Sequence, residues 1–316
     1  MRVLVAGATG VIGRPLVPLL SSVGHEVVVL ARTPGRASLL ERTGTSVVIA
    51  DALDAPELSR AVRKASPDAV VNLLTSIPAA VNPRRLAKEF ATTNRLRTEG
   101  TRNLLAAAGE VAASRVVSEG LAYAYDPNGS GLANEDTPFW QDPPRQFVPV
   151  LAALKELERQ TRDAGGTVLR FGHLYGAGSV YASGGSFVAQ VRAGKIPLVN
   201  GGTSTFSFTH AQDAASAIVA VLDKPIAGAL NVVDDDPAPM HEWLPVLAGI
   251  LRAKPPKSAP AAIARLAVGG WGVAFMTRLR GADNSRARLG LDWKPRHASW
   301  RTGFAEELRA AGSRTA

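Results

Sequence analysis

Gly7-Ala8-Thr9-Gly10-Val11-Ile12-Gly13 follows directly on the apolar run Arg2-Val3-Leu4-Val5-Ala6, and the reading of this junction decides the fold. A short, nearly continuous apolar run bounded by glycine suits a strand buried on both faces of a parallel sheet. The three glycines then meet three needs together. They allow a tight turn, they let backbone approach a pyrophosphate, and they open a helix whose N–H groups and positive dipole end hold negative charge. A glycine triplet alone is weak evidence. Placed after a buried strand and before a helix, it reads as a dinucleotide-binding loop.

Outward from the loop, apolar runs and helical periodicity alternate. A helix is expected over 11–23, closed by Gly24, then a strand over 26–31, a helix over 36–42 and a strand over 46–50. A helix over 55–65, a strand over 69–74, a helix over 95–109, a strand over 115–117, a helix over 148–164 and a strand over 167–171 continue the pattern. This alternation predicts an α/β protein with a doubly wound parallel sheet of the Rossmann type. Beyond 171 the regularity weakens, with Pro and Gly punctuating 176–202 and Ala, Gly and Pro dominating 255–280. The run 229–233 is expected to return as the last strand of the sheet. The expected organisation is a dinucleotide-binding domain of residues 1–172 plus 203–235, with a smaller, mainly C-terminal substrate lobe of 173–202 plus 236–316.

The 316 residues contain no cysteine, which removes disulfides, thiolate metal sites and cysteine nucleophiles and suits a cytoplasmic protein. No metal site is expected. The first residues run straight into a strand, which leaves no room for a signal peptide. The apolar stretch 266–276 has 11 residues and three glycines, short of the roughly 20 that cross a bilayer. The net charge of +9 is scattered, its longest basic clusters being pairs such as Arg84 and Arg85. It therefore gives no stripe for a nucleic acid and instead mildly favours anionic cofactors and substrates.

Cofactor choice is read at the end of the second strand, where an acid suits the NAD ribose and an arginine the NADP 2′-phosphate. The strand ends Leu30-Ala31-Arg32-Thr33-Pro34-Gly35-Arg36 with no acid. Arg32 and Arg36 are the candidate phosphate ligands, and NADP is expected, with NAD as the alternative. Asp51 and Ala52 are placed to flank the adenine, and Leu73, Leu74 and Thr75 at the end of the fourth strand complete the candidate cofactor seat with Gly7, Thr9, Gly10, Val11, Ile12 and Gly13.

Three further segments carry a resemblance: Gly100-Thr101-Arg102-Asn103-Leu104-Leu105, Leu169-Arg170-Phe171-Gly172-His173-Leu174-Tyr175-Gly176 and Phe206-Ser207-Phe208-Thr209-His210-Ala211-Gln212-Asp213-Ala214. With the glycine loop they make the chain similar to the extended short-chain dehydrogenase/reductases, the group of nucleotide-sugar epimerases and dehydratases. The resemblance implies a Rossmann sheet, two lobes and a pocket between them. It also implies a Tyr-x-x-x-Lys pair on a helix and a Ser or Thr at the preceding strand end. Here Lys155 is matched to the Lys, as a ribose ligand, and Leu151 stands where the Tyr would be. Gly120 falls at the Ser position, with Ser118 two residues early. The chain thus looks like the atypical branch of that superfamily, which leaves the proton donor open.

Tyr123, Tyr125 and His173, with Tyr175, follow strands and should lie at the carboxyl ends of the sheet, where such folds bind ligands. Tyr123, Tyr125, His173 and Lys155 are therefore the candidate catalytic residues, and His210 is read as structural. The expected function is an NADP-linked reductase, epimerase or dehydratase-like enzyme acting on a small carbonyl, sugar or polyketide-like compound. The alternatives are an NADP(H)-binding regulator without turnover and a non-redox catalyst on the same frame. The expected partner is a small-molecule substrate, without nucleic acid or membrane, and a homodimer is a candidate assembly.

Overall fold

The computed structural model describes residues 1–35 and 45–313. The helix expected over 36–42, with Arg36, lies outside the described residues. β1 (Arg2–Ala6), β2 (Glu26–Ala31), β3 (Ser46–Ile49), β4 (Ala69–Asn72), β5 (Arg115–Leu121) and β6 (Thr167–Phe171) join the strand Gly228–Val232 in one seven-stranded sheet. The order is Gly228–Val232, β6, β5, β4, β1, β2, β3, and all neighbours run parallel. The chain moves outward from β1 through β2 to β3 and then restarts at β4 on the other side of β1. That reversal opens a crevice at the carboxyl ends of β1 and β4, the topological switch point where open α/β sheets bind ligands.

Helices close both faces. On one side α1 (Gly13–Ser22) lays Leu16, Val17 and Leu20 against the sheet beside the helix Ala211–Asp223. On the other, α2 (Ala55–Ala65) and α3 (Thr101–Glu110) bury Leu58, Val62, Leu104 and Ala107. Burial on both faces is why β1 is apolar at nearly every position and does not alternate.

Two differences from the sequence expectation bear on the site. β5 continues four residues past 117, carrying Glu119 and Leu121 to its carboxyl end. The helix expected from 95 is interrupted by a π-helical turn over Leu96–Gly100 before α3 begins. Such an inserted turn displaces one residue toward a neighbouring site, and here that turn carries Arg97.

The second core gathers Trp140, Trp243, Trp300, Phe206, Phe208 and Phe304, all at most 1% exposed. β7 (His173–Tyr175) pairs in parallel with Phe208–His210 beside it. The segment 285–293, expected in the substrate lobe, packs against the sheet instead. Ala287, Leu291 and Trp293 belong to its core, and the Trp293 indole N–H donates to Ser216 Oγ at 2.9 Å. Among the described residues no helix is long and apolar enough to cross a membrane.

Candidate active site

A cavity of about 1170 Å³ runs along the carboxyl ends of the strands. One half lies over β1, β2 and β3. Gly7, Thr9, Gly10, Val11, Ile12 and Gly13 border it, with Arg32 at the end of β2 and Asp51 and Ala52 after β3. Leu73, Leu74 and Thr75 continue the wall past β4. Arg32 is exposed. Asp51 folds its Oδ1 back to accept the Leu53 N–H at 2.9 Å, so part of its acceptor capacity is used in its own turn.

The loop fits a dinucleotide for reasons visible in its packing. Gly7 has φ +95°, and a side chain there would meet the Leu73 carbonyl oxygen at 2.3 Å, so this position seats the turn against β4. A Cβ on Gly13 would lie 2.5 Å from Ala8 Cα, so this position brings α1 close to the loop. A Cβ on Gly10 would meet only the Gly7 carbonyl, at 3.2 Å. Its open side faces the cavity, as a backbone offered to a pyrophosphate requires. α1 begins at Ile12 and Gly13 with no side-chain cap and no acid in its first turn, which leaves its positive end to a ligand.

The other half lies over β4, β5 and β6, where the nicotinamide of a dinucleotide seated on this loop would reach. Positions 119, 121 and 123 are partly buried and border the cavity, whereas 120, 122 and 124 are buried. The alternation follows from the strand. Ser118 turns toward the helix α4 (Val148–Asp163), accepting from Thr161 Oγ1 at 2.9 Å. A side chain on Gly120 would meet Val168 Cγ1 at 2.8 Å on the same side. Gly120 therefore offers backbone alone, and the strand aims Glu119 and Leu121 into the cavity.

Arg97 borders the same region and is 1% exposed. Its Nη2 donates to Glu119 Oε1 at 3.5 Å, while its Nε and Nη1 have no hydrogen-bond partner among the described residues. The Glu119 side chain is 12% exposed. Burial pushes its carboxyl above the ordinary range, and the Arg97 charge and hydrogen bond offset this only in part.

The expected catalytic residues fall in different places. Tyr123 borders the cavity and stacks on His173 at 4.5 Å, and burial pushes its phenol up to about 12. His173 also borders it, with Nδ1 3.3 Å from the Ser207 carbonyl and the ring 4.1 Å from that of Phe206. Burial pulls its imidazole down to about 3, which leaves it neutral and a poor acid or base near pH 7. Tyr125 lies outside the cavity wall. Its hydroxyl hydrogen-bonds Asn231 Oδ1 and accepts from Arg170 Nη1 at 2.9 Å, a buried structural network behind the sheet. Tyr175 is buried against Phe208 and Phe304 and also lies away from the cavity.

Lys155 and Leu151 differ from expectation as well. Val150 packs in the second core and borders the cavity, Leu151 lies in the same core away from the cavity, and Lys155 is exposed. Five residues of α-helix rotate Lys155 by about 140° from Val150, away from the ribose it was expected to hold. Lys155→Ala is therefore expected to leave cofactor affinity within about twofold, as read by fluorescence titration.

Reading from the sequence missed Glu119, Arg97 and Val150. A charge inside the strand run 115–121 was the available signal for Glu119. His210, Asp213 and His297 also cluster, their ligand atoms within 4.8 Å of one another. His210 caps a helix by accepting the Gln212 N–H and pairs with Glu307, and Asp213 accepts from the Arg296 and His297 backbone N–H groups. The cluster is thus engaged in holding the chain.

The pattern of the NAD dependent epimerase/dehydratase family matches residues 3–233. The 3-diazoavenalumate denitrifying reductase of Streptomyces sp is 44% identical over 315 residues, covering 97% of this chain and 100% of that protein. Epimerase family protein SDR39U1 of Bos taurus is 28% identical over 239 residues, 74% of each chain. The solved UDP-glucose 4-epimerase of Thermotoga maritima, with UDP-glucose, superposes at TM-score 0.78 with 19% identity and full coverage of both chains. Human SDR39U1 with NADPH gives TM-score 0.73 at 24% identity, over 98% of this chain and 99% of that one. A glycine loop seated on β4, a sheet that reverses beside it and a family match through the last strand lead to one conclusion: the chain belongs to the NAD-dependent epimerase/dehydratase family.

Proposed function

We propose that this chain is an NADPH-dependent reductase that removes the nitrogens of a diazo carboxylate as dinitrogen. Family membership and a reductase relative at 44% identity make it an oxidoreductase or epimerase-like enzyme. The observation that supports the finer reading is the surface α4 presents to the cavity, where Val150 borders it from the edge of the second core, Leu151 lies in that core away from the cavity and Lys155 is exposed. On this reading α4 offers the cavity neither a Tyr nor a Lys of the kind that serves a carbinol oxygen in the wider family. Reductive loss of nitrogen involves no carbinol. When bound, the nicotinamide supplies a hydride; a diazonium needs only that, and a neutral diazo group needs one proton besides.

The cavity walls support a flat, conjugated substrate over a sugar. Phe147 and Trp271 stack at 4.0 Å, Phe275 lies 5.8 Å from Trp271, and all three border the cavity with Tyr123. Gly7, Gly10 and Gly13 would hold the pyrophosphate and Arg32 the 2′-phosphate. Tyr123 and His173 are read as walls of the substrate end and not as its acid and base.

The test is NADPH oxidation with an aryl diazo carboxylate, followed by absorbance and by dinitrogen release. Oxidation with matching nitrogen release is expected. Oxidation only with ketones or nucleotide sugars would overturn the diazo assignment, and NADPH binding without turnover of any of them would favour the regulator. For the cofactor, Arg32→Ala is expected to weaken NADPH by about 10- to 100-fold, the worth of a charge-assisted phosphate contact. NADH should change little. Equal affinities of the unmutated protein for NADPH and NADH would remove the NADP preference.

A further inference from the structure

Resting on the reductase reading, we propose that Glu119 is the proton donor of the reaction, held at the cavity wall by Arg97. The proposal begins with position. Asp51 and Glu119 are the two carboxyl groups that border the cavity among the described residues, and Asp51 lies at the β3 end. Glu119 lies at the β5 end, beside the nicotinamide half, aimed inward by the strand alternation that turns Ser118 and Gly120 toward α4.

The neighbours remove the other candidates. Tyr123, His173 and Arg97 face Glu119 or adjoin it in the same wall. Burial moves the Tyr123 phenol and the His173 imidazole away from neutrality, in opposite directions. The same burial moves a carboxyl toward neutrality, which is the displacement that suits an acid working near pH 7. Arg97 limits the displacement and sets the geometry. Its single long bond to Glu119 and its two unpartnered nitrogens leave donors for negative charge that develops on a substrate.

The proton step balances as follows. Hydride added to the terminal nitrogen of a neutral diazo group, R2C=N2, forms an N–H bond and leaves a negative charge on carbon. The Glu119 carboxyl gives its proton to that carbon, forming C–H and leaving a carboxylate. The diazene R2CH–N=NH then loses N2 as its N–H hydrogen passes to carbon, giving R2CH2. Solvent returns the proton to Glu119. The co-reactant is the nicotinamide hydride donor, and the sum is one diazo compound, one hydride and one proton giving R2CH2 and N2.

Two measurements test the assignment. In E119Q, kcat for an aryl diazo carboxylate in its neutral R2C=N2 form, which needs a proton, is expected to fall about 100-fold or more, with NADPH affinity within twofold. E119D is expected to recover part of the loss. The wild-type rate should fall as pH rises through the Glu119 pKa, and the residual E119Q rate should lack that limb. Separately, carbon-13 NMR of glutamate-labelled protein without cofactor is expected to show Glu119 and Glu135 titrating above the ordinary range, with the Glu119 signal alone absent in E119Q. Wild-type kcat in E119Q, or a Glu119 carboxyl titrating in the ordinary range, would overturn the proposal. If wild-type protein leaves the diazo compound untouched, the function reading fails, and the NMR titration still decides whether Glu119 has the acidity claimed for it.

Discussion

Gly10→Val is expected to lower NADPH affinity by 100-fold or more while leaving the fold in place. A Cβ at position 10 meets the Gly7 carbonyl at 3.2 Å and nothing else within 4 Å, so the loop absorbs it with a shift of a few tenths of an ångström. The two added methyl groups then stand in the cavity, where a pyrophosphate must touch bare backbone. The neighbouring glycines behave differently. A side chain on Gly7 would collide with the Leu73 carbonyl and one on Gly13 with Ala8, so those substitutions damage the loop before they damage binding. Isothermal titration with NADPH and NADH, beside thermal unfolding of the same sample, separates the two cases. Native affinity in a folded Gly10→Val protein would take the glycine loop out of the cofactor site.

The same contrast shows what could be read without coordinates. β6 and α2 fall at the expected residues, 167–171 and 55–65, because apolar runs and the 3.6-residue period report burial locally. The glycine loop was legible because its chemistry is contiguous in the chain. The far half of the cavity was not, because it is assembled from a π-helical turn, a strand end and one face of α4 that are far apart in sequence. The four-residue spacing drew attention to Leu151 and Lys155, yet a helix face is set by what it packs on: the second core takes both Val150 and Leu151, and of the two it is Val150 that also borders the cavity. Tyr125 was misplaced for a related reason. The chain leaves the strand alternation after Leu121 and bridges Tyr125 to Phe139, which turns the phenol toward Asn231. Trp293 was assigned by its place in the chain, whereas the Trp293–Ser216 hydrogen bond ties it to the sheet side.

Glu158→Ala is expected to destabilise the protein by about 3–5 kcal/mol, the usual cost of removing one partner from a buried ion pair. Glu158 and Arg170 have side chains only 3% and 8% exposed, and they meet through two bonds, Nε to Oε1 at 2.8 Å and Nη2 to Oε2 at 2.7 Å. The pair fastens α4 to β6 and extends further. Arg170 Nη1 donates to the Tyr125 hydroxyl, which also bonds Asn231 on the strand Gly228–Val232, and the Asn231 N–H donates to Glu135 Oε1 at 2.7 Å. The guanidinium also lies over the Phe139 ring, 4.6 Å from its centre. With Glu158 gone, the buried Arg170 charge loses its bidentate carboxylate and keeps the Tyr125 hydroxyl, the Glu135 carbonyl and the weaker attraction of the Glu135 carboxyl. Val150, two turns earlier on α4, should lose its register against the cavity, so NADPH affinity should fall with stability. Urea unfolding of Glu158→Ala and of Arg170→Met measures the first effect, and the double substitution Glu158→Leu with Arg170→Met measures how much of it is charge. The double variant is expected to be more stable than Glu158→Ala, because it leaves no charge without a partner. A double variant no more stable than Glu158→Ala would mean that the lost geometry of this bidentate pair, and not the stranded charge, dominates the cost.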